Sequence, residues 1–189
     1  SIRIIKGLFQ DGPLTFNGRH YRITELEGHP KPVQRPHPPL LIGAGGKRML
    51  ALAAREADIV SVIMRSRREG GLDAADGSAA AFDGKIAWIR EQAGDRFERL
   101  EINALIQRIV VTGHPDDHFE QAASDYGMTG PEEGRETPLA LIGSIEQIIE
   151  TIEQRRERWG ISYLVVRPRY LDIDVLDDLG TIIARLAGR

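Results

Sequence analysis

Leu40-Leu41-Ile42-Gly43-Ala44-Gly45-Gly46-Lys47-Arg48 decides the fold of this 189-residue chain. Three consecutive apolar residues end in four small ones, and Met49, Leu50, Leu52, Ala53 and Ala54 then recur at helical spacing up to Ala57. A short continuous apolar run followed by a 3.6-period stripe predicts a buried strand, a tight turn and a helix. The unit then repeats: a strand over 59–64, a loop rich in Gly and Arg, and a helix over 81–93. A third strand spans 102–112, with a helix opened by Pro115. A fourth run over 139–143 leads to Ser144, an N-cap for a helix over 145–159. A last strand follows over 161–166, and a helix over 175–186 closes the pattern. Strands that are apolar at every position are buried on both faces, and intervening helices serve as crossovers, so the class is parallel α/β. An open doubly wound sheet and part of a (β/α)8 barrel both satisfy this pattern. A whole barrel takes about 250 residues, so residues 39–189 hold room for about four units.

Upstream the chain reads differently. Residues 2–10 predict a helix closed by Asp11-Gly12-Pro13. Residues 14–16 and 19–23 flank Asn17-Gly18, the signature of a two-residue type I′ hairpin turn. Pro30, Pro32, Pro36, Pro38 and Pro39 then keep the chain extended and nonhelical, as a linker.

Composition removes whole classes of function. Lys and Arg number 25 against 28 Asp and Glu, a formal charge of −3, without the basic excess of a nucleic-acid binder. The absence of cysteine excludes disulfides, a thiol nucleophile and Cys-ligated metal or iron–sulfur sites. No apolar run reaches membrane-spanning length, and Ser1-Ile2-Arg3-Ile4-Ile5-Lys6 lacks the apolar stretch of a signal peptide, so a soluble, cytoplasmic protein with no membrane partner is expected.

The glycine turn is the first place for chemistry. Where a strand turns into a helix through small residues, unpaired N–H groups and the positive end of the helix dipole suit a phosphate. Gly43, Ala44, Gly45 and Gly46 would supply backbone, and Lys47 or Arg48 charge; a plain tight turn is the competing reading. Neither the G-x-x-x-x-G-K-[ST] nor the G-x-G-x-x-G spacing is present. Arg65, Arg67 and Arg68 follow the second strand and would meet a second anion or form a solvated basic loop. Arg167, ahead of Pro168, Arg169 and Tyr170, would face a ligand at the rim or pair with Asp172. His114 and His118 flank Asp116-Asp117, yet that segment is also what a helix start requires, and no metal is expected. Asp172, Asp174, Asp177 and Asp178 lack the EF-hand pattern and read as helix N-terminal charge. Trp88 and Trp159 read as core. The residues alone stop at an anion-binding α/β protein, with no acid, base or nucleophile assigned.

The order Pro32-Val33-Gln34-Arg35-Pro36, Pro38 to Gly46, Ala53-Ala54-Arg55-Glu56-Ala57-Asp58, Ala93-Gly94-Asp95-Arg96-Phe97, Leu141-Ile142-Gly143-Ser144 and Trp159-Gly160-Ile161 resembles the luciferase-like monooxygenases, above all their deazaflavin-dependent branch. The resemblance implies the C-terminal half of a (β/α)8 TIM-type barrel, its fifth to eighth strands. Residues 1–38 would be a hairpin and linker insertion and 39–189 the last four βα units of one domain. It implies an oxidoreductase that moves hydride between a bound cofactor and a small organic substrate. The cofactor would be coenzyme F-420 (F420), or alternatively FMN, with its phosphate at Gly43 to Lys47 and Arg48, Ser61, Arg65 and Arg167 around it. A half barrel exposes two strand edges, so a homo-oligomer or an N-terminal half is expected to cover them. A noncatalytic cofactor- or phosphate-binding protein, or a truncated segment needing a partner chain, is the alternative.

Overall fold

The computed structural model describes residues 1–167 and 174–187. Contacts divide the chain into residues 1–40 and 41–189. The first unit holds α1 (Ile2–Leu8), β1 (Leu14–Asn17) and β2 (Arg22–Leu26), the strands antiparallel. Its turn differs from the expected two-residue type. Asn17 pairs with Arg22, the Gly18 N–H donates to the Tyr21 carbonyl at 2.9 Å, and Gly18 is not left-handed, so residues 18–21 make a four-residue loop. The proline-rich stretch carries no helix or strand, and Lys31 pins it by donating to the carbonyls of Leu8, Gln10 and Gly12.

The second unit contains β3 (Leu41–Ala44), α2 (Lys47–Glu56), β4 (Ile59–Val62), α3 (Ala79–Ala93), β5 (Glu101–Ile106) and β6 (Arg108–Val111). It continues through α4 (Asp116–Asp125), α5 (Pro131–Glu136), β7 (Ala140–Gly143), α6 (Ile145–Trp159), β8 (Ile161–Val166) and α7 (Asp174–Leu186). Four strands form one parallel sheet in the order β3-β4-β5-β8. That order settles the architecture. A doubly wound sheet reverses its strand order partway, whereas here each later strand joins on the same side, as in a barrel.

Side-chain alternation agrees. Ala44, Val60, Val62, Ile102 and Ala104 pack with Leu50 and Ala53 of α2, with Phe82, Ile86 and Ile89 of α3 and with Trp159. The opposite face carries the register row Gly43, Ser61, Asn103 and Tyr163. Helices packed on one face alone are the pattern of a barrel wall, whereas a doubly wound sheet carries helices on both. The expectation that every strand is buried on both faces holds for the central strands and for β7, whose four residues are all buried, but not at the edges of the main sheet. Leu41 of β3 is 47% exposed and Tyr163 of β8 39%, while residues 60–62 are buried.

The single strand expected over 102–112 is two. The Gln107 and Arg108 amides both turn to the Leu139 carbonyl, at 2.7 and 3.2 Å, so the chain leaves the main sheet there and β6 takes β7 as its parallel neighbour. Ile109 and Leu141 face α6 and α7, whereas Val110, Ala140 and Ile142 face α4.

Candidate functional site at the carboxyl ends of the parallel strands

β3 delivers Gly43 and Ala44 to the carboxyl edge of the sheet, and α2 starts three residues later. Gly45 is fixed by contact: a Cβ there would lie 2.7 Å from the Arg65 nitrogen and the Met64 carbonyl carbon. Only a residue without a side chain lets the turn rest on the exit of β4. The Ile63 N–H donates to the Ala44 carbonyl at 3.1 Å and fastens the same contact. Gly46, the N-cap of α2, is different, because a Cβ at this position meets nothing within 4 Å. It is extended, with φ −97° and ψ 148°, and no side chain caps the helix. The head of α2 therefore presents backbone N–H groups and the positive end of its dipole towards open space.

The candidate residues Gly43, Ala44, Gly45, Gly46, Ser61, Arg65 and Arg167 all lie at or just beyond the carboxyl ends of β3, β4 and β8. Ser61 is buried beside Gly43 in register. Arg65 binds Asp73 at 2.7 Å, and that hydrogen bond holds its guanidinium above the ordinary value and the Asp73 carboxyl below its own. Arg67 shares Asp73 at 3.8 Å. Arg167 donates its N–H to the Ile106 carbonyl at 2.9 Å and its guanidinium to Gln107 at 3.3 Å. Its expected partner Asp172 lies outside the described residues, as do Pro168, Arg169 and Tyr170, and the side chain of Asp174. Lys47 turns away from the open space: its ammonium sits 5.3 Å from the centre of the Trp88 ring. Arg48 is exposed at the start of α2. Of the two tryptophans, Trp159 is buried and Trp88 packs partly buried against the core.

Three residues beside the site were not singled out from sequence. Asn103, in the register row with Ser61, is buried and donates to the Tyr163 carbonyl at 3.0 Å. Asp76 and Lys85 form a buried ion pair at 2.5 Å below the exit of β4. Burial pushes the Lys85 ammonium down, opposed by the Asp76 carboxylate. Two of them left the same trace, a polar residue at an apolar position: Asn103 within Ile-Asn-Ala-Leu-Ile, and Lys85 on the buried stripe of Phe82, Ile86 and Ile89; Asp76, within Asp73-Ala74-Ala75-Asp76-Gly77, left none. A cavity of about 160 Å³, lined among others by Ile63, Met64, Leu72 and Leu105, opens beyond the exits of β4 and β5.

Among solved structures, the chain is similar to an F420-dependent secondary alcohol dehydrogenase in complex with an F420-acetone adduct, with 15% identity and a TM-score of 0.68 over 98% of this chain and 58% of that one. It is likewise similar to the coenzyme F420 dependent tetrahydromethanopterin reductase from Methanopyrus kandleri, with 14% identity and a TM-score of 0.68 over 96% of this chain and 59% of that one. The chain thus spans under two thirds of the length of either, and what they share with it at such identity is the fold. An FMNH(2)-dependent dimethylsulfone monooxygenase of Pseudomonas putida is 35% identical over 57 residues, 30% of this chain and 16% of that protein. The family model for luciferase-like monooxygenases matches residues 1–163. The chain accordingly belongs to the luciferase-like monooxygenase family, and its sheet and helices make the C-terminal part of that family's TIM-type barrel.

Proposed function

We propose that this chain is the phosphate-holding part of a flavin- or deazaflavin-dependent oxidoreductase that moves hydride between its cofactor and a small organic substrate. The observation that carries the reading is the head of α2, uncapped by any side chain and open in front of Gly46. The residues present fit the phosphate of such a cofactor: N–H groups at 46–48 would donate to it, Gly45 keeps the turn flush, and Arg48 adds a nearby cation. The cofactor supplies the electronic change, while the protein binds and orients it. F420 ranks ahead of FMN because the sequence resembles the deazaflavin branch. The loop after β4 brings Arg65, Arg67 and Arg68 to the same edge, with Glu69, Asp73 and Asp76 balancing their charge. The open edges of β3 and β8 are where further strands would join, from a second copy or from an N-terminal half.

Gly46→Asp tests this. A carboxylate at the N-cap improves the helix and opposes a phosphate at the same amides. Affinities for F420 and FMN, read by titration of cofactor absorbance or fluorescence, are expected to weaken by at least about tenfold without loss of thermal stability. Unchanged affinities overturn the reading. Cofactor binding without turnover of any acceptor favours the noncatalytic alternative.

A further inference from the structure

The side chain of Lys85 is only 2% exposed, in the middle of α3, and Asp76 is its carboxylate partner. Its Nζ donates to Asp76 Oδ2 at 2.5 Å and to the Ile63 carbonyl at 2.8 Å. The same Asp76 oxygen accepts the Arg65 N–H at 2.6 Å. Together the two side chains grip the backbone on either side of Met64, by a carbonyl before it and an amide after it. That backbone is the wall on which Gly45 rests and from which Ile63 bonds Ala44. A buried ion pair loses much of its attraction to desolvation, and apolar residues of similar size often serve stability as well, so stability is a weak reason for one here. Holding a backbone in one place is a stronger reason.

We infer that Asp76 and Lys85 are positioning residues for the anion-binding turn: they fix residues 63–65 as a wall, and through Gly45 that wall sets the amides at the head of α2. Neither side chain touches the bound group. The inference rests on the phosphate reading of that turn and adds the device that shapes it.

FMN and riboflavin share a ring system and differ by the phosphate, so the ratio of their dissociation constants isolates the turn. Both are titrated against the wild-type chain, Lys85→Met and Asp76→Asn. Asp76→Asn keeps the volume and one acceptor oxygen and serves where Lys85→Met does not fold. In a folded variant the preference for FMN over riboflavin is expected to drop by about fivefold or more, with riboflavin affinity changed less than about twofold. A preference retained within about twofold overturns the inference. Parallel loss of both affinities overturns it as well, because that pattern marks general loosening. A wild-type chain with no preference for FMN fails at the earlier step: the phosphate reading falls, and this inference with it.

Discussion

Two adjacent glycines at the turn have separate physical reasons, and substitution separates them. Gly45→Ala drives a Cβ to within 2.8 Å of three backbone atoms that no rotamer change can move. It is expected to cost about 1–3 kcal/mol, measured by urea unfolding. Gly46→Ser adds a side chain to open space at an N-cap and is expected to stay within about 0.5 kcal/mol of wild type or to stabilise slightly. The sequence showed small residues at both positions, but not that one glycine serves packing and the other access. That difference depends on the exit of β4, some 20 residues downstream. The buried pair is the sharper case at this scale. Lys85→Met leaves Asp76 buried without its counter-ion and is expected to cost about 3–5 kcal/mol in unfolding free energy. Pairing it with Asp76→Asn removes the stranded charge and keeps an acceptor for the Arg65 amide, so the double variant is expected to recover at least about half of that loss.

At the scale of elements, the sequence is most legible where a local signal and a tertiary contact agree. Ser144 heads α6 as expected and forms a full capping box, accepting the Gln147 N–H at 3.3 Å while Gln147 Oε1 accepts the Ser144 N–H at 2.8 Å. Gly143, left-handed at φ 139°, makes room for that amide side chain. Ser144→Ala is expected to destabilise by about 1 kcal/mol. The break at Gln107 left no such signal, because residues 101–111 are apolar enough for one strand and the bend comes from the distant Leu139 carbonyl. α5 was also missed, a short polar helix with Gly134 pressed against the Phe119 carbonyl. Helix α3 meets the end of α6 through Asp83, which accepts from Arg158 at 2.9 and 2.6 Å and from the Trp159 indole at 2.6 Å. The Arg158 hydrogen bond holds the Asp83 carboxyl below its ordinary value, with partial burial opposing and Trp159 assisting. A carboxyl depressed in the folded state contributes stability above its unfolded value, and that contribution is lost as pH falls through the folded one. Both side chains are nearly half exposed, so solvent screening holds the contribution to about 1 kcal/mol or less. Asp83→Asn is therefore expected to lower the urea midpoint at about pH 6 and to leave it close to wild type well below about pH 4.

For the whole second unit, neither strand order nor the face that the helices cover was legible in the residues, since hydrophobic runs report burial and not neighbours. Order is what distinguishes a barrel wall from a doubly wound sheet, and β3-β4-β5-β8 carries that distinction. The consequence is an asymmetry that can be measured. β4 and β5 each have a hydrogen-bonded strand on both sides, whereas β3 pairs only with β4 and β8 only with β5 among the described residues. Half of the amides of an edge strand face no ladder partner, so they open to solvent without unfolding the sheet. Amide hydrogen exchange in residues 41–44 is expected to be at least about tenfold faster than in residues 59–62 if this chain stands alone. Equal protection at both strands shows the β3 edge to be paired in solution. Loss of that protection on dilution then assigns the pairing strand to a second copy of the chain, because association between copies weakens with concentration and a fold completed within one molecule does not.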